Sequence, residues 1–436
     1  MTFLLVRLSV WLITVYYPFW KRRERADLHI SKKPYESETL HPRRLYSPPR
    51  ILYDARVDFS SVDAELANAI EQGVFPGAAV IVKQAGRVLY RHACGFRRLE
   101  PDRAPLDIET IFDVASLTKP LATTLAVLLC ITEHSIHFED PVSRFLPDFQ
   151  GPGKERITIR HLLSHASGLP AWRPYFQSIR EQEKSPGTET FLVLGTRHAR
   201  EWVYTQIQHD PLEATPGERA VYTDLGFILL GAIVERLSAT TLDAYCQQRI
   251  FQPLALHHTA FLNQESHSQG IFARPDHIAA TERCPWRKRV ICGEVHDDNA
   301  YAMGGVAGHA GVFSTVDDVD RLVSCLVDCY HGKHDFVPPA LLQQCWIRDG
   351  QVPGSTWALG WDTPSPQQSS AGELFSAHSV GHLGFTGTSV WIDLERQVHV
   401  ILLTNRVHPS RDNTAIRDFR PRFHNAVMKV VLGRGD

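Results

Sequence analysis

The sequence predicts an α/β chain of the α+β kind, with one sheet assembled from both ends of the chain and a mostly helical lobe inserted between them. Two hairpin signals carry that expectation. Near the start, the β-rich runs Ala78 to Lys83 and Arg87 to Arg91 flank Gln84-Ala85-Gly86, and near the end Ser389 to Asp393 and Gln397 to Leu403 flank Leu394-Glu395-Arg396. From about residue 135 to 330 the chain reads as helices joined by long loops, the clearest being Ile159 to His165, stopped near Gly168 and Pro170, and Leu225 to Leu237.

Composition bounds the rest. With 436 residues, 43% hydrophobic and 22% charged, the chain can bury a large core as one big domain or two lobes. A net charge of -2 and a pI near 6.9 argue against a nucleic-acid surface, and the basic runs at 21–25 and 287–289 are short. Eight cysteines are scattered from Cys94 to Cys345 with no Cys-x-x-Cys pair, which removes zinc-ribbon and thioredoxin readings. Free thiols in a reducing compartment are expected, with Cys284 and Cys292, or Cys325 and Cys329, as the pairs able to face one another.

Residues 2–20 are mostly apolar, but Arg7 interrupts them, no basic stretch precedes them and no small-residue cleavage site follows. A cleaved signal is therefore not expected. If the segment spans a bilayer, the basic run Lys21-Arg22-Arg23-Glu24-Arg25 stays inside, so a cytoplasmic catalytic domain is expected, soluble or attached to the inner membrane; a mis-assigned start codon is the plain alternative. Pro34, Pro42, Pro48 and Pro49 mark an irregular linker, giving an apolar segment and linker over 1–53 and one domain over 54–436.

Within that domain a helix is expected over Val62 to Gln72, closed by Gly73, followed by the first hairpin. Next comes Asp113-Val114-Ala115-Ser116-Leu117-Thr118-Lys119-Pro120 and an apolar run to Cys130, which places Ser116 at the first turn of a long buried helix reaching His134. Unpaired N–H groups and a partial positive charge at a helix start favour an oxygen becoming anionic. Lys119, one turn along the same face, can reach the Ser116 hydroxyl. Ser-x-x-Lys alone would equally describe an ordinary helix start with a solvated lysine. The last element is an amphipathic stretch from Asn413 to Leu432, with Pro421 expected to break or kink it.

Three motifs in order lift Ser116 above that plain reading. Ser116-Leu117-Thr118-Lys119, then Thr215-Pro216-Gly217-Glu218 leading into Tyr222-Thr223-Asp224, then Gly381-His382-Leu383-Gly384-Phe385-Thr386-Gly387 resemble the active-site motifs of serine β-lactamases and penicillin-binding proteins. The text from about residue 60 to 432 is similar to the class C β-lactamase-like serine hydrolases, a group that also holds esterases and D-amino-acid peptidases. The resemblance implies an antiparallel sheet flanked by helices plus a helical lobe. It implies Ser116 as nucleophile, Lys119 and Tyr222 as the proton-handling pair, and the N–H groups of Ser116 and Phe385 as an oxyanion hole. Asp224, His382, Leu383 and Gly384 would line the substrate. Acyl transfer to Ser116 and hydrolysis of the acyl-enzyme then need no metal or organic cofactor.

Physical chemistry is compatible with these roles. A lone lysine must drop about three pKa units to be a neutral base at pH 7, roughly 4 kcal/mol, and sharing the task with Tyr222 relieves this. Taken singly, Tyr222 would be a core tyrosine and His382 a strand residue with a satisfied ring. Asp224 fits equally an N-cap for the helix at Leu225 and a place lining the site.

Rival chemistries lack parts. His161 and His165 have zincin spacing without the intervening glutamate, so a structural role beneath the helical lobe is expected. His296-Asp297-Asp298-Asn299 reads as a loop, Gly387-Thr388-Ser389-Val390-Trp391 lacks the second glycine of a nucleophile elbow, and Gly304 to Gly308 reads as a tight turn packed near the site. A non-catalytic sensor or scaffold with the same fold is the alternative of another class.

Substrate class follows from departures from the lactamase pattern. His382-Leu383-Gly384 replaces the usual Lys-Thr-Gly that attracts a carboxylate, and a free Asp224 carboxylate would repel one. A small-molecule ester is therefore the expected substrate, with a β-lactam or D-alanyl amide as the alternative.

Overall fold

In the computed structural model the described residues are 57–183, 192–264 and 275–433, so the segment and linker expected over 1–53 lie outside them. Both hairpins form and join one sheet. Its strands are β1 (Gly77–Gln84), β2 (Arg87–Arg98), β3 (Ala104–Pro105), β4 (Ser379–Leu383), β5 (Ser389–Asp393) and β6 (Val398–Thr404). They lie in the order β3-β2-β1-β6-β5-β4, every pairing antiparallel. The first hairpin turns at Ala85 and Gly86, both with positive φ (46° and 79°), a two-residue turn whose twist matches that of the flanking strands. The seam runs from Ala78 opposite Thr404 to Gln84 opposite Val398, tying the two ends of the domain together.

The period-two alternation of β1 feeds two cores. Ala78, Val80 and Val82 pack with Val62 and Leu66 of α1 (Ser60–Glu71) and with Phe419 and Phe423 of α5 (Ile416–Val431). Ala79 and Ile81 point the other way, into the larger cluster that includes Val319, Leu322 and Val323 of α4 (Val316–Tyr330). Helix α5 continues through Pro421, which was expected to break or kink it.

The Ser116 segment differs from the single long helix expected. It is a 3-10 turn at Ala115–Leu117, a wide π-type turn over Lys119–Thr124, and only then a regular helix, α2 (Leu125–His134). Pro120 has no N–H to give, so the regular i to i−4 ladder cannot run through it. Residues 115–134 are long and apolar enough to cross a membrane, but 83% of that stretch is buried inside the domain, as a core helix would be.

Helix α3 (Asp224–Ser238) is apolar on every side, from Leu225 to Val234, and forms the centre of the helical lobe. Its N-cap is Thr223, whose hydroxyl accepts the Leu225 N–H at 3.2 Å. The N-cap role entertained for Asp224 is thus taken one residue earlier, and the Asp224 carboxylate is released for other work. The expected close packing of the Gly304–Gly308 turn is present: a Cβ on Gly308 would sit 2.0 Å from the Phe227 carbonyl oxygen of α3. All eight cysteines are free thiols. Cys325 and Cys329 converge on His334 Nδ1, each at 3.8 Å, whereas Cys284 is buried and Cys292 exposed.

Candidate active site

Ser116 stands at the edge of a cleft of about 870 Å³. The chain enters it through Ala115, a non-glycine residue held at φ +50°, a strained arrival that turns the next side chain outward. Buried Asp113 braces the turn, with one carboxylate oxygen accepting the Ala115 N–H at 2.8 Å and the other the His296 N–H at 2.7 Å.

Lys119 is fully buried behind the serine. Its Nζ donates to Ser116 Oγ at 3.0 Å, to Asp224 Oδ1 at 2.8 Å and to the His309 carbonyl at 3.1 Å. Burial pulls the amine down, but Asp224 and Tyr222 outweigh it and hold it above the ordinary lysine range. At rest the pair is therefore an ammonium and a carboxylate. Asp224 lines the cleft, but its carboxylate is paired with Lys119 rather than free.

Tyr222 shows a ring edge to the cleft, 36% exposed, while its hydroxyl end is enclosed against Lys119 and Ser116. Burial and Asp224 raise the phenol, and Lys119 and Ser116 oppose them without reversing the shift. Its ring stacks on Trp357 (centroids 5.5 Å) and touches His165 (4.7 Å). His165 is buried, with Nδ1 accepting the Thr223 N–H at 3.1 Å, so it braces the Tyr222 segment directly instead of serving only beneath the lobe. His161, by contrast, does serve a purely local role, closing a capping box with Thr158.

Strand β4 brings the third motif to the same cleft, lined by His382, Leu383, Gly384 and Phe385. His382 Nδ1 lies 2.9 Å from the Leu383 carbonyl and must donate to it, which leaves Nε2 as a buried acceptor with no partner among the described residues. Burial, helped by Lys119, pushes this imidazole down to about 3, so it stays neutral. The ring was expected to be satisfied on its strand, and half of it is not. Two hydroxyls bolt the motif to the serine turn, Thr386 Oγ1 donating to the Asp113 carbonyl at 2.8 Å and Thr388 Oγ1 to the Val114 carbonyl at 3.0 Å. Neither the Ser116 nor the Phe385 N–H donates to an acceptor among the described residues. Two unpaired amides beside a hydroxyl are what a developing oxyanion requires.

The arginines of the cleft lining were not anticipated. Arg406, Arg411, Arg417 and Arg420 all line the cleft, together with Asp297, Asp298, Asp362 and Asp412. Arg411 is held by Glu282 and Asp298, but Arg406 and Arg420, each 6% exposed, form no ion pair among the described residues. Arg417 is exposed, and its guanidinium makes no hydrogen bond there either. One signal was available: Arg420 falls on the apolar stripe of α5 with Ile416, Phe423 and Val427, where an arginine is costly. His296 and Asp297, read as a loop, also line the cleft, with Asp297 capping the short helix Asp298–Ala302.

Comparison with known proteins places this geometry. The chain is 31% identical over 394 residues to the N-acetylmuramyl-L-alanine amidase of Bacillus subtilis (strain 168), covering 83% of this chain and 85% of that one. It is 29% identical over 389 residues to a provisionally named D-alanyl-D-alanine carboxypeptidase of Salmonella agona (strain SL483), again over 83% and 85%. Among solved structures it is similar to EstCE1, a hydrolase with promiscuous acyltransferase activity (TM-score 0.61, 25% identity, 83% and 98% covered). The octameric penicillin-binding protein homologue of Pyrococcus abyssi shares the fold (TM-score 0.65, 21% identity, 87% and 78% covered). The Beta-lactamase family model matches residues 62–421, and with its antiparallel sheet, helical lobe and intervening serine the chain belongs to that family of serine hydrolases.

Proposed function

We propose that the protein is a serine amidase of class C-like design that cleaves small amide substrates carrying a carboxylate beside the scissile bond, as D-alanyl and muramyl peptides do. The observation that carries this reading is Arg417, an exposed arginine that lines the same cleft as Ser116 and forms no ion pair among the described residues. The ester expectation rested on losing a cation at position 382 and gaining a free anion at 224. The anion is neutralised by Lys119, and Arg417, exposed on the same cleft with no ion pair among the described residues, supplies positive charge. The names carried by the Bacillus and Salmonella relatives support an amide substrate.

In this reading Ser116 Oγ attacks the carbonyl carbon, and the oxygen that becomes negative is received by the Ser116 and Phe385 N–H groups. With Lys119 held as a cation, Tyr222 is the proton acceptor: the ammonium lowers the cost of a phenolate, which takes the Oγ proton and returns it to the departing nitrogen. Water then breaks the Oγ–acyl bond by the same proton route. Because Tyr222 is raised overall, the active phenolate form is scarce at neutral pH, and kcat/KM should climb about tenfold per unit between about pH 7 and pH 9.

The deciding experiment compares kcat/KM for a D-alanyl-D-alanine peptide, N-acetylmuramyl-L-alanine with its free carboxylate, a chromogenic cephalosporin and a neutral nitrophenyl ester on one preparation. One of the anionic amides should lead. A lead for the neutral ester restores the esterase reading. Placement on the cytoplasmic side, with or without attachment through residues 2–20, belongs to the same proposal, and fractionation that finds the chain in an extracytoplasmic compartment overturns it.

A further inference from the structure

The Gly384–Phe385 peptide is gripped from behind. Its carbonyl oxygen accepts Arg420 Nη2 at 2.9 Å as well as the Gly387 N–H at 3.1 Å, and the same arginine nitrogen donates to the Thr388 carbonyl at 2.8 Å. The next carbonyl, that of Phe385, accepts Arg406 Nε at 2.8 Å, while Arg406 Nη1 is anchored to the carbonyls of Arg411 (3.0 Å) and Asn413 (2.7 Å). The Arg406 guanidinium lies 4.4 Å from the centroid of the Phe385 ring, whose other face stacks on His296. Thus each of two buried guanidiniums places one nitrogen on a carbonyl that flanks the same N–H, while Arg420 Nε finds no partner among the described residues. Neither has a carboxylate partner among the described residues, an arrangement costly in a dry interior unless it serves a purpose.

A trans peptide is planar, with C=O and N–H pointing in opposite directions. Whatever fixes the Gly384 oxygen therefore fixes the line along which the Phe385 N–H is presented. A cation on the oxygen also draws electron density from the nitrogen and strengthens the N–H as a donor, as neighbouring bonds in a chain strengthen one another. Resting on the assignment of the Phe385 N–H to the oxyanion, we propose that Arg420, seconded by Arg406, is a positioning residue for the reaction: it acts through the Gly384–Phe385 peptide, aiming and polarising the amide that receives the negative oxygen. A donor that matters only when the oxygen carries charge should be felt in turnover and in tetrahedral adducts, not in ground-state binding.

The experiment uses the full chain and variants Arg420→Met, Arg420→Lys and Arg406→Lys. It measures kcat and KM for the best substrate, the affinity of a phenylboronic acid that forms a tetrahedral anionic adduct on serine, and the affinity of the carboxylate product. Arg420→Met is expected to lower kcat and boronate affinity together by about 10- to 100-fold, with KM and product affinity within about threefold. Arg420→Lys should recover part of the loss, since an ammonium keeps the charge but loses the planar fork. Arg406→Lys, which leaves the Arg420 bond to the Gly384 oxygen in place, should show the same split more weakly and serves if Arg420→Met does not fold. Unchanged boronate affinity, or equal losses of boronate and product affinity, overturns the proposal. Boronate binding to Ser116→Ala with wild-type affinity would instead refute the nucleophile assignment on which it rests.

Discussion

Two buried cations border the same cleft, and the fold treats them in opposite ways. Lys119 is wholly buried and compensated by the Asp224 carboxylate at 2.8 Å. Arg420 is almost as buried and meets only carbonyl oxygens; burial, with Arg406 nearby, pulls its guanidinium down to about 9, still charged at neutral pH. A compensated charge projects little field, so the Lys119 side can hold a proton in place without drawing an anion. An uncompensated charge instead acts on the carbonyls it grips. In the proposed mechanism the difference separates the wall that handles the proton from the wall that presents the oxyanion amide, although both are built from buried positive charge.

The largest effect should come from cutting the first wall at its reactive end. Ser116→Ala is expected to lose at least about four orders of magnitude in kcat while its thermal midpoint stays within a few degrees, because only a hydroxyl is removed. Lys119→Ala and Tyr222→Phe should each cost several orders of magnitude, and the double variant less than their product. Single-turnover assays against a folded-state melt decide it, and a Ser116→Ala enzyme that still turns over removes the first wall from the comparison altogether.

Asp224→Asn makes Lys119 resemble Arg420. Leaving a buried cation without its partner should cost about 3 kcal/mol of stability at pH 7. Because Asp224 raises both Lys119 and Tyr222, its loss lowers both, and the rising limb of kcat/KM should move to lower pH. A limb that stays where it was would mean that Asp224 does not govern the proton route.

His382 sits beside Lys119 and is kept neutral, its folded value about 3 against about 6.5 for the unfolded chain. Below about pH 6.5 the unfolded chain binds the extra proton, so stability falls as pH falls. At pH 5 the loss is about 2 kcal/mol, and urea midpoints at pH 7 and pH 5 should converge by that amount in His382→Asn. Parallel behaviour of variant and wild type would show that the imidazole is not held neutral by its surroundings. The smallest effect is at the rim of the second wall: Arg417→Ala should raise KM about tenfold for anionic substrates, leave kcat within about twofold, and leave a neutral ester untouched.

Much of the first wall could be read from the chain, because local spacing sets it. Ser116 and Lys119 lie one turn apart, and Tyr222 and Asp224 stand at the mouth of an apolar helix whose start is marked by Thr223. The second wall is a product of distance. Arg406 follows β6 and Arg420 lies in α5, and neither has a neighbour in sequence that betrays its target, the carbonyls at 384, 385 and 388. Sequence periodicity marks where a side chain is buried but not what it meets. The same limit hides the ion pair of Asp224, whose partner is 105 residues away, and the role of His165, whose contact with Tyr222 exists only because the segment around 166–171 folds back on 214–224.

The seam between β1 and β6 has a consequence for how the protein is made. Strand β1 leaves the ribosome early, yet its partner from Ala78 to Gln84 is a stretch ending at Thr404, and the arginines come at or after that point. Until almost the whole chain has been synthesised, the β1–β2 hairpin therefore carries an apolar open edge, the kind of surface that invites pairing with other chains. Closing a sheet across so long a stretch is intrinsically slow. The nascent enzyme should consequently lean on chaperones, and a chain truncated before residue 398 should aggregate instead of surviving as an inactive domain.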